Sequence, residues 1–246
     1  MFCIHACYSL PLLKFLYIPC IMTRMNSNII GLLISFPFLA LVIAVGIFLK
    51  HRFSITSESM RKFVHIGVSN WWFIEVNFFT TLAYALVGPI FFIITNSLFT
   101  FLGWGKALGM DDRKRNYGLI YFPITLLILV VMQYQGIVSS LACSIAVLIM
   151  GYGDGLAALI GAKWGKKKLR VRFAKKSYLG TLVMAGVSFI ITFIGLASYS
   201  TLGMTSIVGI SLLIGLVSAL VEALTPLALD NITVPLLAVF LLEVFL

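Results

Sequence analysis

Asp154 stands among three glycines, Gly151, Gly153 and Gly155, where an apolar run ends and the basic stretch GAKWGKKK begins. An acidic residue at the edge of a membrane-length apolar segment is costly to keep there and marks a functional site by default. The residue types suit a metal–nucleotide site: a hard oxygen ligand for Mg²⁺, backbone open to close approach, and cations nearby for phosphates. The alternative role for Asp154 is helix capping, with the glycines simply turning the chain. Asp154, Ala157 or Ala158, Gly161 and Gly165 then recur at three- and four-residue steps. On a helix this makes one smooth face for a second helix or a ligand.

KKSYLGT, Lys175 to Thr181, follows. Ser177 reads as the N-cap of the next helix, whose first-turn amides, around Gly180 and Thr181, have no partner within the helix. With Lys175 and Lys176 beside it, this start is either an anion site or a capped helix with lysines reaching for the membrane surface. The GxxxxGK[ST] pattern is absent, so this is not a P-loop.

Glu222, late in the seventh apolar run, and Asp230 with Asn231, opening the eighth, return to the same membrane level. Asp154, Glu222 and Asp230 are three of only eight acidic residues, and grouped carboxylates suit a divalent cation. In SMRKFVHIG, Arg61 and His65 lie four apart on one helix face, placed either for phosphate binding and proton transfer or simply at the interface. Glu75, deeper in the same run, acquires no role from its spacing. Asp111 and Asp112 beside Arg113–Arg115 read as a solvated cluster.

The elements that position these residues are membrane spans. The chain is 61% hydrophobic and 11% charged, with a mean hydropathy of +1.09. A span needs ~20 apolar residues. Such runs fall at Asn28–Leu49, Phe63–Phe79, Leu82–Leu102, Gly118–Tyr134, Ile137–Met150, Leu179–Tyr199, Thr205–Leu224 and Ile232–Leu246. The expectation is an all-α polytopic membrane protein of seven to eight transmembrane helices, with residues 26–246 forming one catalytic domain. If the helices alternate, sixteen of the eighteen Lys and Arg fall on one face, which the positive-inside rule makes cytoplasmic. The formal charge of +10 therefore reflects orientation, and no nucleic-acid partner is expected. The linkers on the other face are too short to hold a soluble domain, so polar chemistry belongs to the basic side.

Residues 1–25 fit less well: the segment is apolar, holds His5, Lys14 and two prolines, and lacks the n-region of a secretory signal. Met22 and Met25 directly precede a good first span, so residues 1–25 read as a segment upstream of an alternative start. Three of the four cysteines lie there, and no disulfide or zinc spacing follows. No internal repeat is evident, which argues against a transporter built from duplicated halves.

GDGLAALIGAKWG, then KSYLGT, then a glutamate in the next span, then DNITVPL, with RKFVHIG upstream, resembles the CTP-dependent polyprenol kinase family. That family groups dolichol kinase, phytol kinase and the yeast-type CTP-dependent diacylglycerol kinase, with phosphatidate cytidylyltransferases more distant. The resemblance runs from about Arg61 to Pro235 and implies transfer of the CTP γ-phosphoryl group to a lipid alcohol, with a divalent metal, Mg²⁺ foremost. It makes Asp154 the leading metal or catalytic carboxylate and Lys176 a catalytic cation. Gly153, Gly155, Gly161, Gly165, Lys175, Ser177, Gly180 and Thr181, with Arg61 and His65, become the nucleotide set; Glu222 and Asp230 become further metal ligands. The acceptor is not specified by the motifs. A cytidylyltransferase would release pyrophosphate where a kinase releases CDP; a transporter would place paired broken helices at the midplane.

Overall fold

The computed structural model describes residues 26–102, 113–169, 176–226 and 228–246. The expectations for residues 1–25, Asp111, Asp112 and Lys175 lie outside these. Among the described residues the regular structure is all helix apart from an isolated antiparallel bridge between Lys168 and Ser177. Six helical stretches of the described residues are long and apolar enough to cross a membrane: Ser27–Phe53, Leu82–Phe101, Tyr117–Tyr134, Ser140–Trp164, Tyr178–Tyr199 and Met204–Leu224.

Helix α1, Ser27–Phe53, is capped by Asn26, whose side-chain oxygen accepts from the Asn28 amide at 2.9 Å. The expected second span is a broken pair, α2 (Ser57–Ser69) and α3 (Trp71–Phe78), interrupted at Asn70. The Asn70 side chain holds the break, donating back to the Ile66 carbonyl at 2.8 Å and accepting from the Tyr152 hydroxyl at 2.9 Å. A short α4, Leu82–Ala85, leads into α5, Val87–Phe101, and α6 follows at Arg113–Tyr134. The last helices are α9 (Tyr178–Tyr199), α10 (Met204–Leu224) and α11 (Asp230–Glu243). The eighth expected span is thus a 14-residue helix, shorter than a bilayer crossing requires.

Between them runs the central element. The sequence places a span ending at Met150 and a turn after it. The structure replaces that turn with one continuous helical path, α7 (Ser140–Leu148), a π-helical segment (Ile149–Asp154) and α8 (Gly155–Trp164). Glycines do not stop a helix that its neighbours hold on both sides. Here Gly151 packs against the Ser69 side chain and Gly155 against Ile66 on α2, while Gly153 faces Met184 and Ser188 on α9. A Cβ at Gly153 would lie 2.8 Å from the Met184 sulfur, so the glycines admit a neighbour on each side. This path is the core of the molecule, 61% buried over its most apolar window against 17% for α1 and for the α4–α5 stretch. Those outer helices present apolar rows such as Leu33, Leu41 and Phe48 on α1 to the outside, as a lipid-facing surface should.

Candidate active site

Three carboxylates from three separate elements converge. Asp154 closes the π segment, Glu222 lies in the last turn of α10 and Asp230 opens α11. They are 5%, 6% and 7% exposed, and one ligand oxygen from each lies within 4.8 Å of the other two. Such burial is tolerable only with paired charge, and two lysines supply it. Lys62 Nζ of α2 donates to Asp154 Oδ2 at 2.5 Å. Lys176 Nζ lies 2.6 Å from Glu222 Oε1 and 2.7 Å from Asp230 Oδ2, and also donates to the Glu222 carbonyl. Burial acts against the Lys176 ammonium, but Asp230 and Glu222 outweigh it and hold its pKa above the ordinary lysine value.

Asp154 is not a cap. It makes no capping hydrogen bond and sits within the helical path, with the ten residues of α8, about 15 Å, still to follow. π segments recur at functional sites because the widened turn frees backbone groups. Here the Met150 carbonyl, inside the segment, lies 3.2 Å from His65 Nε2. A carbonyl oxygen only accepts, so this contact places a proton on Nε2, which is also 3.6 Å from Asp154 Oδ2.

Lys176 is fixed from behind. Its carbonyl accepts from the Leu169 amide at 2.8 Å, and the Tyr178 amide donates to the Lys167 carbonyl at 3.2 Å, closing the base of the basic loop. Ser177 caps α9 as its sequence position predicts, accepting from the Gly180 amide at 3.1 Å, and donates to the Gly161 carbonyl at 3.3 Å. Gly161, Gly165 and Gly180 meet around this serine: a Cβ on Gly161 would lie 2.7 Å from Ser177 Oγ, and one on Gly180 would lie 2.9 Å from the Ala157 carbonyl. The small-residue face therefore joins α8 to the start of α9. The Thr181 hydroxyl, one turn on, is buried without a hydrogen-bond partner among the described residues.

Arg61 and His65 share a helix but separate in role. Arg61 pairs with Glu58 at 2.6 Å, while His65 turns to Asp154. The residue missed from sequence is Lys62, which spacing treats as one more charge setting orientation. Its signal was the three-residue step to His65, which puts both on the side of α2 that meets Asp154.

The donor set fits a divalent cation. Carboxylates are the hard oxygens that Mg²⁺ prefers, three of them face two ammonium groups, and Glu222 Oε2 and Asn231 Oδ1 are buried acceptors without a donor among the described residues.

A buried carboxylate–lysine cluster thus lies inside a bundle whose long helices are apolar enough to cross a membrane. The chain is 31% identical over 195 residues to the phytol kinase of a Synechocystis strain, covering 76% of this chain and 80% of that one. It is 33% identical over 130 residues to a probable chloroplastic phytol kinase of Triticum aestivum, covering 48% of this chain and 41% of that one. The chain belongs to the polyprenol and phytol kinase family. No family model matches it, and no solved structure does.

Proposed function

We propose that this protein is a lipid-alcohol kinase that transfers the γ-phosphoryl group of CTP to the hydroxyl of an isoprenoid alcohol such as phytol. The observation that carries the reading is the convergence of Asp154, Glu222 and Asp230 within 4.8 Å, interleaved with Lys62 and Lys176. Membership beside phytol kinases supports the acceptor class. CTP as donor rests on the motif resemblance.

Phosphoryl transfer asks a protein chiefly to position the reactants and neutralise charge. Lys62 and Lys176 are anchored through carboxylates and can turn from them to phosphate oxygens. Asp154, Glu222 and Asp230 would hold Mg²⁺, which supplies compensation for the charge on the transferring group. Ser177, Gly161, Gly165 and Gly180 hold α8 and α9 close enough to set Lys176. Lys175 and Thr181 belong to the same phosphate-binding element, with Gly153 and Gly155 shaping the carboxylate side. The alcohol oxygen bonds to the γ-phosphorus as the bond to the bridging oxygen breaks; CDP leaves, and the hydroxyl proton moves toward Asp154. The basic face is cytoplasmic in this reading, where a polyanionic nucleotide is drawn in.

Membranes containing the protein, supplied with CTP labelled at either the γ or the α position and a panel of phytol, polyprenols and diacylglycerol, test this directly. γ-Label in a lipid phosphate is expected. α-Label in the lipid would instead establish the cytidylyltransferase alternative.

A further inference from the structure

Resting on that kinase reading, we propose that the acceptor's hydrocarbon tail lies in an apolar cleft between two helix pairs, α1 with α2 and α5 with α6, and that His65 is where its hydroxyl meets the carboxylate cluster. The cleft is open to the outside, and the empty space in it and at its mouth is about 610 Å³. Ile43, Val68, Phe92, Phe122 and Leu126 line it, with Trp71 from the start of α3. α1 packs on α2, and α5 packs on α6, so the space between the pairs is a seam of the fold. Phe36 and Phe91 meet edge-on at 5.3 Å across that seam, about two turns of α1 from Ile43.

The polar groups of the wall are engaged in ways that keep it apolar. The Trp71 indole N–H donates to Ser35 Oγ at 2.9 Å. Pro123 in α6 has no N–H to offer the Leu119 carbonyl four residues back. Asn96, facing it from α5, donates to that carbonyl at 2.8 Å instead. His65 then joins cleft to site: its ring packs edge-on against Phe122, centroids 4.3 Å apart, while Nε2 faces Asp154. Among the described residues the wall contains no Lys, Arg, Asp or Glu, so it offers no charge to a nucleotide's phosphates or to their metal. A hydrocarbon tail loses no solvation by entering from lipid. Ile43 stands at the mouth, 37% exposed on the apolar flank of α1. A tail can therefore slide in sideways from the bilayer, carrying its hydroxyl to His65 at the inner end. This moves His65 from the nucleotide set to the acceptor side.

The purified full-length protein should be irradiated with a diazirine analogue of phytol and the adducts mapped by mass spectrometry, without nucleotide and again with excess phytol or the hydrocarbon lacking its hydroxyl. Adducts on α1, α5 and α6 at cleft residues, competed by phytol and not by the hydrocarbon, are expected. In parallel, Ile43→Trp should raise the KM for phytol at least about fivefold and leave the KM for CTP within a factor of about two, the scale of altering one hydrophobic pocket contact. Transfer with adducts elsewhere and an unchanged phytol KM in Ile43→Trp overturns the cleft and leaves the kinase reading intact. Competed adducts in the cleft with no transfer to any alcohol sink the kinase reading and keep the cleft as an alcohol site.

Discussion

Lys62 and Asp154 are 92 residues apart in the chain, yet their side chains meet at 2.5 Å inside the helix bundle. The pair ties α2 to the π segment and brings His65 against the same carboxylate. It makes Asp154 a group with two separable jobs, balancing a buried ammonium and serving the reaction.

Asp154→Asn is expected to lower turnover by a factor on the order of 100 or more, the scale for loss of a key electrostatic or acid–base group. It also strands Lys62, and removing one partner of a buried pair costs about 3–5 kcal/mol. Adding Lys62→Met should recover much of the thermal stability in detergent without recovering transfer. Recovery of both together would reduce Asp154 to a structural ion-pair partner.

Lys176→Ala should raise the KM for CTP more than the KM for the lipid, because the cation faces the carboxylates and not the apolar cleft. The Lys176 pKa is raised in the folded protein, so its stabilising charge is fully present below the ordinary lysine value, about 10.4, and is lost only as pH rises through the higher folded value. The stability difference between wild type and variant should accordingly not diminish from about pH 7 to about pH 9. A difference that fades within that window would contradict the pairing with Glu222 and Asp230.

Millimolar Mg²⁺ should raise the melting temperature of the wild-type protein, since a ligand that binds only the folded state stabilises it. Glu222→Gln and Asp230→Asn should each weaken that response. Equal responses in all three proteins would remove these two carboxylates from the metal site.

Gly161→Ala places a methyl group 2.7 Å from Ser177 Oγ and 3.1 Å from the Gly180 Cα, forcing α8 away from the start of α9. A loss of about 1–3 kcal/mol is expected, with a higher KM for CTP as Lys176 shifts. Gly186→Ala, where an added methyl meets nothing within 4 Å, is the control and should be neutral or stabilising. Thermal melts of the two variants side by side decide the matter.

Lys167→Cys should resist a membrane-impermeant thiol reagent added to intact cells and react once the membrane is opened. Ready labelling from outside would reverse the orientation drawn from the positive charges.

Much of this was legible beforehand because burial and charge leave linear marks. Hydropathy located the long helices, and the scarcity of acidic residues singled out Asp154, Glu222 and Asp230, which the fold does bring together. Ser177 was legible as a cap because capping is local. What was misread depended on neighbours. The glycines around Asp154 suggest a turn until α2 and α9 are seen pressing on both sides. Lys62 looks like every other cation near the membrane surface until its partner from a distant helix arrives. The cleft beside His65 could not be read at all, since a space between helix pairs leaves no spacing in the chain.

The π segment carries a further consequence. Its widened turn accommodates an extra residue, and one residue is about 100° of rotation in an α-helix. It therefore sets the angular phase between the two halves of the central path: α7 turns Cys143 and Ala146 into the core, and α8 turns Gly161 onto Ser177. Winding these same residues, Ile149–Asp154, as a regular α-helix with none removed would leave the composition unchanged. It would also swing every side chain of α8 by more than a quarter turn relative to α7. Trp164 and Lys163 would sweep around the helix axis while the glycine face left its partner. The π winding itself is thus what keeps the glycine face of α8 on Ser177.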